Sequence, residues 1–355
     1  MPPAKTPEAP SLPAFLLHRV DPVESRLTYL PTSAGILRAA SFVDGRTPLA
    51  TGRPITRRID DVLRALEPMP VPRRRFIFHG AFGGSTLLSR LLDCPGKALA
   101  VREPNSLVDI ADWVVSGARS DQGDSRTRQL VRLACANLFA SSEGGETIVV
   151  KPSNWANNLL PALCDRDSEA VFVTMRPRAF LRAVFRGGRE RLAFAARAAA
   201  HLAAGHAGDL SLLGAAAGAS RHPLDQIAHF AALLHHLQLR RFDRAMRLRD
   251  WGRDRIISYE ELAASPLAAA GIANRALGLG LTLEDLSRSV AEKRKMHAKD
   301  GSAVFEPADS RQRDEAVEAH HGDRIDRALA WYRDCLPDVA LPGDAVAATA
   351  RASSA

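Results

Sequence analysis

Residues 76–92 read FIFHGAFGGSTLLSRLL. A short apolar run enters a segment with glycines at 80, 83 and 84, meets Ser85-Thr86, and leaves with apolar residues at 87, 88, 91 and 92. The last spacing suits one face of a helix, so the stretch predicts strand, glycine loop and helix in that order. Glycines let successive backbone N–H groups converge on an anion, and a helix N-terminus adds positive potential. Ser85 and Thr86 bring two more amides and two hydroxyls. A plain strand-to-helix turn with a Ser/Thr cap has the same composition. A Walker-type loop needs Gly, four residues, Gly, Lys and Ser/Thr. Ending that pattern at Gly84 puts His79 at its first glycine and Ser85 at its lysine. Hydrolysis of ATP or GTP is therefore disfavoured.

Working outward, strands alternate with helices. RRFIFHG, KALAVREP, ETIVVKPS, AVFVTMRP and DRIISYEEL read as strands. Helical patterns fall at 126–140, 178–203, 222–248, 266–277 and 311–334. This alternation implies a mostly parallel sheet with right-handed crossovers, a three-layer α/β P-loop-type fold over 74–335. Ligands of such folds collect at the carboxyl ends of the strands. The glycine loop, Glu103, Lys151 and Arg176 stand there. Upstream, residues 1–13 are rich in Pro and Ala and expected to be disordered. Residues 14–73 form a leader to which no chemistry attaches. Within it, Asp44-Gly45 predicts a hairpin over ASFVDGRTPLA, and ITRRIDDVLRALEPM predicts an amphipathic helix. Residues 336–355 are expected to be a disordered tail.

The totals set outer limits. The 355 residues, 46% apolar and 25% charged, are those of an ordinary globular chain with ample material for a core. The formal charge is +8, and only six of the 48 basic residues are lysines, so each lysine stands out. A basic balance suits an anionic ligand without choosing its class. The four cysteines are scattered, with no CxxC, which argues against a zinc site or a disulfide framework and fits a reducing compartment. No apolar leader and no run of 18 uncharged apolar residues is present, so a cytoplasmic location is expected. His229, His235 and His236 share one predicted helix but lack a third ligand at fitting spacing, so no metal is expected. They read as packing or acceptor-pocket residues.

Three segments together resemble the sulfotransferase family. Phe82 to Leu88 is similar to its 5′-phosphosulfate loop, roughly basic-Ser-Gly-Thr-Thr before an apolar helix. AVFVTMRPRAF resembles its second loop, a strand ending in Arg-x-Pro. RIISYEELAASP resembles its late Tyr-Glu-x-Leu-x-x-x-Pro segment, here Tyr259 to Pro266. Their order and spacing carry the likeness over about residues 74–335. The resemblance implies transfer of a sulfuryl group from 3′-phosphoadenosine 5′-phosphosulfate (PAPS) to a hydroxyl or amine, with no metal required. It implies that Gly83, Gly84, Ser85 and Thr86 hold the 5′-phosphate and that Arg176 pairs with the 3′-phosphate. KRKMHAKDG, 293–301, loosely matches a late basic segment of the family, which would bring Lys295, His297 and Lys299 to the 3′-phosphate; a solvated charge run reads equally well. The implied partners are the anionic nucleotide and an acceptor that is a small molecule, sugar, lipid or peptide; no nucleic acid and no membrane span are expected.

The chain departs from the family at three places. Phe82 replaces the basic residue that opens the first loop, for which Lys151 or Arg102 is the candidate substitute. Arg176 directly precedes proline. Val184 stands where a serine is expected. The chemistry itself points to two residues. Removing an acceptor's proton needs a base, and a strand-end carboxylate desolvated beside the loop, Glu103, fits. Charge spreading over the leaving phosphate and sulfonyl oxygens needs a fixed cation, and Lys151 fits. Ser153 and Asn154 are candidates for orienting the acceptor. The acceptor pocket is expected from 105–125 and 187–230, which hold Trp113 and Phe194. Two alternatives stay open: a nucleotide-binding module that has lost turnover, and a different P-loop transferase such as a kinase. The kinase reading lacks a loop lysine and an Asp after a strand for Mg²⁺.

Overall fold

The computed structural model describes residues 14–66, 72–116, 121–140, 145–293, 307–337 and 339. The expected disordered start at 1–13, residues 338 and 340–355 of the expected disordered tail at 336–355, and Lys295, His297 and Lys299 lie outside the described residues, whereas within that tail Leu336 is buried and Val339 packs against the core. Five strands form an all-parallel sheet: β4 (Arg74–His79), β5 (Ala98–Arg102), β6 (Thr147–Lys151), β7 (Ser168–Thr174) and β8 (Ile256–Ser258), in the order β5-β6-β4-β7-β8. Helices cover both faces, which is why the strands read as unbroken apolar runs. Phe76, Phe78, Leu99, Val101, Val150 and Phe172 face one helical layer, with Leu107 and Ile110 of helix Asn105–Val115 and Phe242 of helix Pro223–Arg249. Ile77, Val149, Val171, Val173 and Ile257 face the other, with Leu88 and Leu91 of helix Ser85–Leu91 and Ala273 and Leu277 of helix Pro266–Leu277. The chain is thus a three-layer α/β protein. Among the described residues no helix is long and apolar enough to cross a membrane.

The leader folds differently from its sequence reading. Three antiparallel strands, β1 (Phe15–Asp21), β2 (Arg26–Pro31) and β3 (Ile55–Arg58), make a second sheet. Ile55 to Arg58 pairs with β2 rather than opening the predicted helix, whose described part is Ile59–Leu66. A four-residue stretch with β-branched Ile55 and Thr56 has a strand's local preference once a partner edge is offered. The β1 edge is sealed by side chains, since the Leu17 amide donates to Asn137 at 2.8 Å and the Val20 amide to Asp109 at 2.8 Å. No hairpin forms at Asp44-Gly45. The Asp44 carboxylate accepts from the Arg46 amide at 3.1 Å, and the Val43 amide donates to the Arg102 carbonyl at 2.7 Å, so this turn docks on the end of β5 instead of pairing with itself.

The single helix read over 178–203 is two, Pro177–Arg186 and Gly188–Ala204. Gly188, at φ +61°, marks the break.

Candidate active site

The glycine loop leaves the centre of the sheet. Ala81 (φ +67°), Phe82 (φ +56°) and Gly84 (φ +78°) all sit in the left-handed region. Two of them carry side chains, so this backbone has to be held from outside. A buried polar network holds it. Gln238 donates to the Gly80 carbonyl at 3.0 Å and accepts from Asn154 at 3.1 Å. Asn157 donates to the His79 carbonyl at 3.2 Å. His79 accepts from the Ala81 amide at Nδ1 (3.1 Å) and meets the Pro152 carbonyl at Nε2 (3.1 Å), a pairing that fixes the Nε2–H tautomer. Asn154, expected to orient an acceptor, is instead part of this clamp, and Ser153 caps the short helix after it. The amides of Gly83, Gly84, Ser85 and Thr86 take no acceptor among the described residues. Four such donors around a left-handed turn fit an anion. Tyr259 and Leu262 form the floor, and a Cβ on Gly84 would stand 2.9 Å from Leu262 Cδ2. The capping box of Ser258 and Glu261 fixes that segment.

Beside the loop, β6 ends at Lys151 and β5 runs into Glu103. The register Arg102↔Lys151 brings the two together, and Lys151 Nζ lies 2.5 Å from Glu103 Oε1. Lys151 is 1% exposed. Burial lowers its pKa, and the Glu103 charge opposes that. Glu103 has φ +55°, and its amide donates to the Lys151 carbonyl at 2.6 Å. The leader supplies a wall here. Lys151 Nζ and the Arg46 guanidinium lie 5.7 and 4.3 Å from the centre of the Phe42 ring, and Arg46 reaches within 4.0 Å of Glu103 Oε2. Arg102 is not a substitute loop cation. It is fully buried and donates to the carbonyls of Leu37, Arg38 and Ala40, with Asp93 at 3.4 Å.

On the other flank of the loop, β7 leads to Arg176, the exposed residue preceding helix Pro177–Arg186. It forms no ion pair among the described residues, whereas Arg178, Arg182 and Arg186 of that helix face Glu318 and Asp314 of helix Pro307–Cys335. Because β4 lies between β6 and β7, the strands that lead to Lys151 and Arg176 stand on either side of the strand that leads to the loop, ~5 Å away. Lys293, the described start of the late basic segment, donates to the Arg90 and Asp93 carbonyls at 2.5 and 2.9 Å, capping the loop helix.

Phe82 packs into an aromatic cluster, with ring centres 5.9 Å from both Phe180 and Phe194. Trp155 joins Phe194 at 6.4 Å, and Trp113 packs elsewhere, against the core under β5 and β6. The Arg191 guanidinium lies 4.8 Å over the Phe82 ring. His235 meets the Met175 carbonyl at 2.8 Å, and burial pushes its pKa down to about 4. Phe42, Arg46, Arg191, Asn157 and Gln238 were not singled out by motif. Only the Gly187-Gly188 pair inside a helical run hinted at a turn that brings Arg191 back to the loop.

No protein-family model and no curated protein matches the chain. Solved structures do. A sulfotransferase domain from the curacin biosynthetic pathway is similar at 12% identity, over 79% of this chain and 98% of that one, with a TM-score of 0.38. A sulfotransferase from Alicyclobacillus acidocaldarius is similar at 16% identity, over 75% and 98%, with a TM-score of 0.34. Retinol dehydratase, solved with retinol and PAP, is similar at 13% identity, over 94% and 100%, with a TM-score of 0.33. The chain is thus similar, at these low scores, to two sulfotransferases and a retinol dehydratase.

Proposed function

We propose that this protein transfers a sulfuryl group from PAPS to a hydroxyl or amine, and that residues 74–335 carry the reaction with one wall lent by the leader. The observation that carries the reading is the set of unpartnered amides at Gly83 to Thr86, flanked on one side by Lys151 and Glu103 and on the other by Arg176. PAPS brings a sulfuryl group on a phosphosulfate bond, whose cleavage releases adenosine 3′,5′-bisphosphate. The loop amides and the Ser85 and Thr86 hydroxyls grip the 5′-phosphate. Arg176, exposed and without an ion pair among the described residues, takes the 3′-phosphate, for which a guanidinium fork is suited. Lys295 and Lys299 are proposed to join it. Glu103 accepts the acceptor's proton as the new O–S or N–S bond forms. Lys151 offsets the charge that collects on the departing phosphate. The Phe82, Phe194 and Trp155 cluster forms the acceptor's apolar side.

A second reading, a nucleotide-binding module without turnover, is favoured by Phe82 and by the 2.5 Å pairing that occupies Glu103. One pair of measurements separates the two. Thermal shift with adenosine 3′,5′-bisphosphate reports binding, and release of that product from PAPS with candidate acceptors reports chemistry. Replacing both Ser85 and Thr86 by Ala removes two hydroxyl contacts to a charged group, each about 1.5–3 kcal/mol. The shift is expected to vanish in that variant. A shift equal to wild type places the ligand elsewhere.

A further inference from the structure

We infer that Arg191 supplies the cation that the loop lacks at position 82, facing the sulfonate end of the co-substrate. This rests on the sulfuryl-transfer reading above. Three independent features support it. First, the guanidinium is already at the loop, 4.8 Å over the ring of the residue that stands in the cation's place, with Nη1 donating to the Ala183 carbonyl at 2.8 Å. Stacking on an aromatic face and a fixed carbonyl bond leave the rest of a planar fork pre-oriented. Second, the chain makes room for it. A Cβ on Gly187 would lie 1.8 Å from Arg191 Cδ and 2.3 Å from its Cγ, so the side chain runs through the space that glycine leaves. Gly187 has an ordinary backbone, φ −84° and ψ 4°, so the need for glycine there is spatial. Third, no carboxylate pairs with Arg191 among the described residues, while its neighbour Arg186 is bonded to Asp314. Burial and the Arg186 charge both disfavour this cation, which nevertheless stays protonated because a guanidinium's pKa is so high. A half-buried cation without a counter-ion is retained at a cost that a bound anion offsets.

The position also selects which anion. Phe82 directly precedes the free amides, so Arg191 lies by the loop and the aromatic acceptor wall, whereas the 3′-phosphate partner Arg176 is exposed at the end of β7. Arg191 therefore distinguishes PAPS from adenosine 3′,5′-bisphosphate, which has no sulfonate. Calorimetric affinities for the two nucleotides test this. Arg191→Ala and Gly187→Ala are each expected to weaken PAPS by about ten-fold or more while changing the bisphosphate by less than about three-fold, the scale of one charge-assisted hydrogen bond. Arg191→Lys should recover part of the loss, and Phe82→Lys in the Arg191→Ala background should recover more. A parallel fall for both nucleotides, or no change for either, overturns the inference. If Arg191→Ala does not fold, as judged by its melt, Gly187→Ala and Arg191→Lys decide by the same ratio. Wild type binding both nucleotides with an unchanged ratio in the variants overturns Arg191 alone. Wild type binding neither overturns the sulfuryl-transfer reading with it.

Discussion

Lys151 and Glu103 hold each other at the ends of neighbouring strands. The ammonium is enclosed and the carboxylate is only partly so, with 18% of its side chain exposed. Removing the lysine deletes the cation and leaves Glu103 with Arg46 at 4.0 Å, and breaking a buried pair costs about 3–5 kcal/mol where the charge left behind is enclosed. Lys151→Ala is expected to lose about 3 kcal/mol in a urea titration. Glu103→Gln should lose at least as much, because the enclosed ammonium then has no counter-ion even though the amide oxygen still accepts from Nζ. In activity, Glu103→Gln should keep the bisphosphate-induced thermal shift while transfer stops, and retained transfer would assign the proton to another base. Both residues were legible as strand ends, because a charged side chain directly after an apolar run has to emerge at the sheet's edge. Their contact was not, since it depends on β5 lying next to β6. Arg46 and Phe42 were hidden for the same reason, with more than fifty residues of chain between them and Glu103.

At the level of elements, the loop is bonded to a helix far along the chain. Gln238 belongs to helix Pro223–Arg249, yet it bonds the carbonyl of Gly80 and receives Asn154. Gln238→Leu keeps the volume and strands that carbonyl and that amide, at about 1–3 kcal/mol for a buried unsatisfied group. The variant is expected to melt lower and to bind adenosine 3′,5′-bisphosphate more weakly than its stability loss alone explains; unchanged affinity would mean that the loop holds its shape unaided. Strand, loop and helix were readable from 76–92 because periodicity and glycine are local signals. The clamp was not, because a glutamine within a helical pattern looks like any polar position. The docked turn at Asp44-Gly45 failed for the opposite reason: it looked local, and the partner that decides its geometry, Arg102, is distant.

Across the whole molecule, the parallel sheet was legible from alternation, and the small antiparallel sheet was not, because β3 is four residues long and polar on its face. The long helix through the core carries two imidazoles that stay neutral. Burial brings His235 and His236 down to about 4, opposed at His235 by the Met175 carbonyl. The unfolded chain binds a proton at each near 6.5, and the folded protein only near 4. Stability contributed by each is therefore full above pH 6.5 and lost as pH falls toward 4, by up to about 3 kcal/mol per group. Urea midpoints at pH 7 and pH 4.5 should differ accordingly, and His235→Gln should narrow the gap; an equal gap in that variant would place the acid sensitivity elsewhere. Arg102, finally, reaches back some sixty residues to seat the carbonyls of Leu37, Arg38 and Ala40. Translation delivers those carbonyls first and their anchor several seconds later, at about 5–20 residues per second. Residues 37–40 must therefore wait for their own latch, and trimming the gene to start at residue 74 would uncover the Arg102 guanidinium, leave it to Asp93, and take Arg46 away from Glu103.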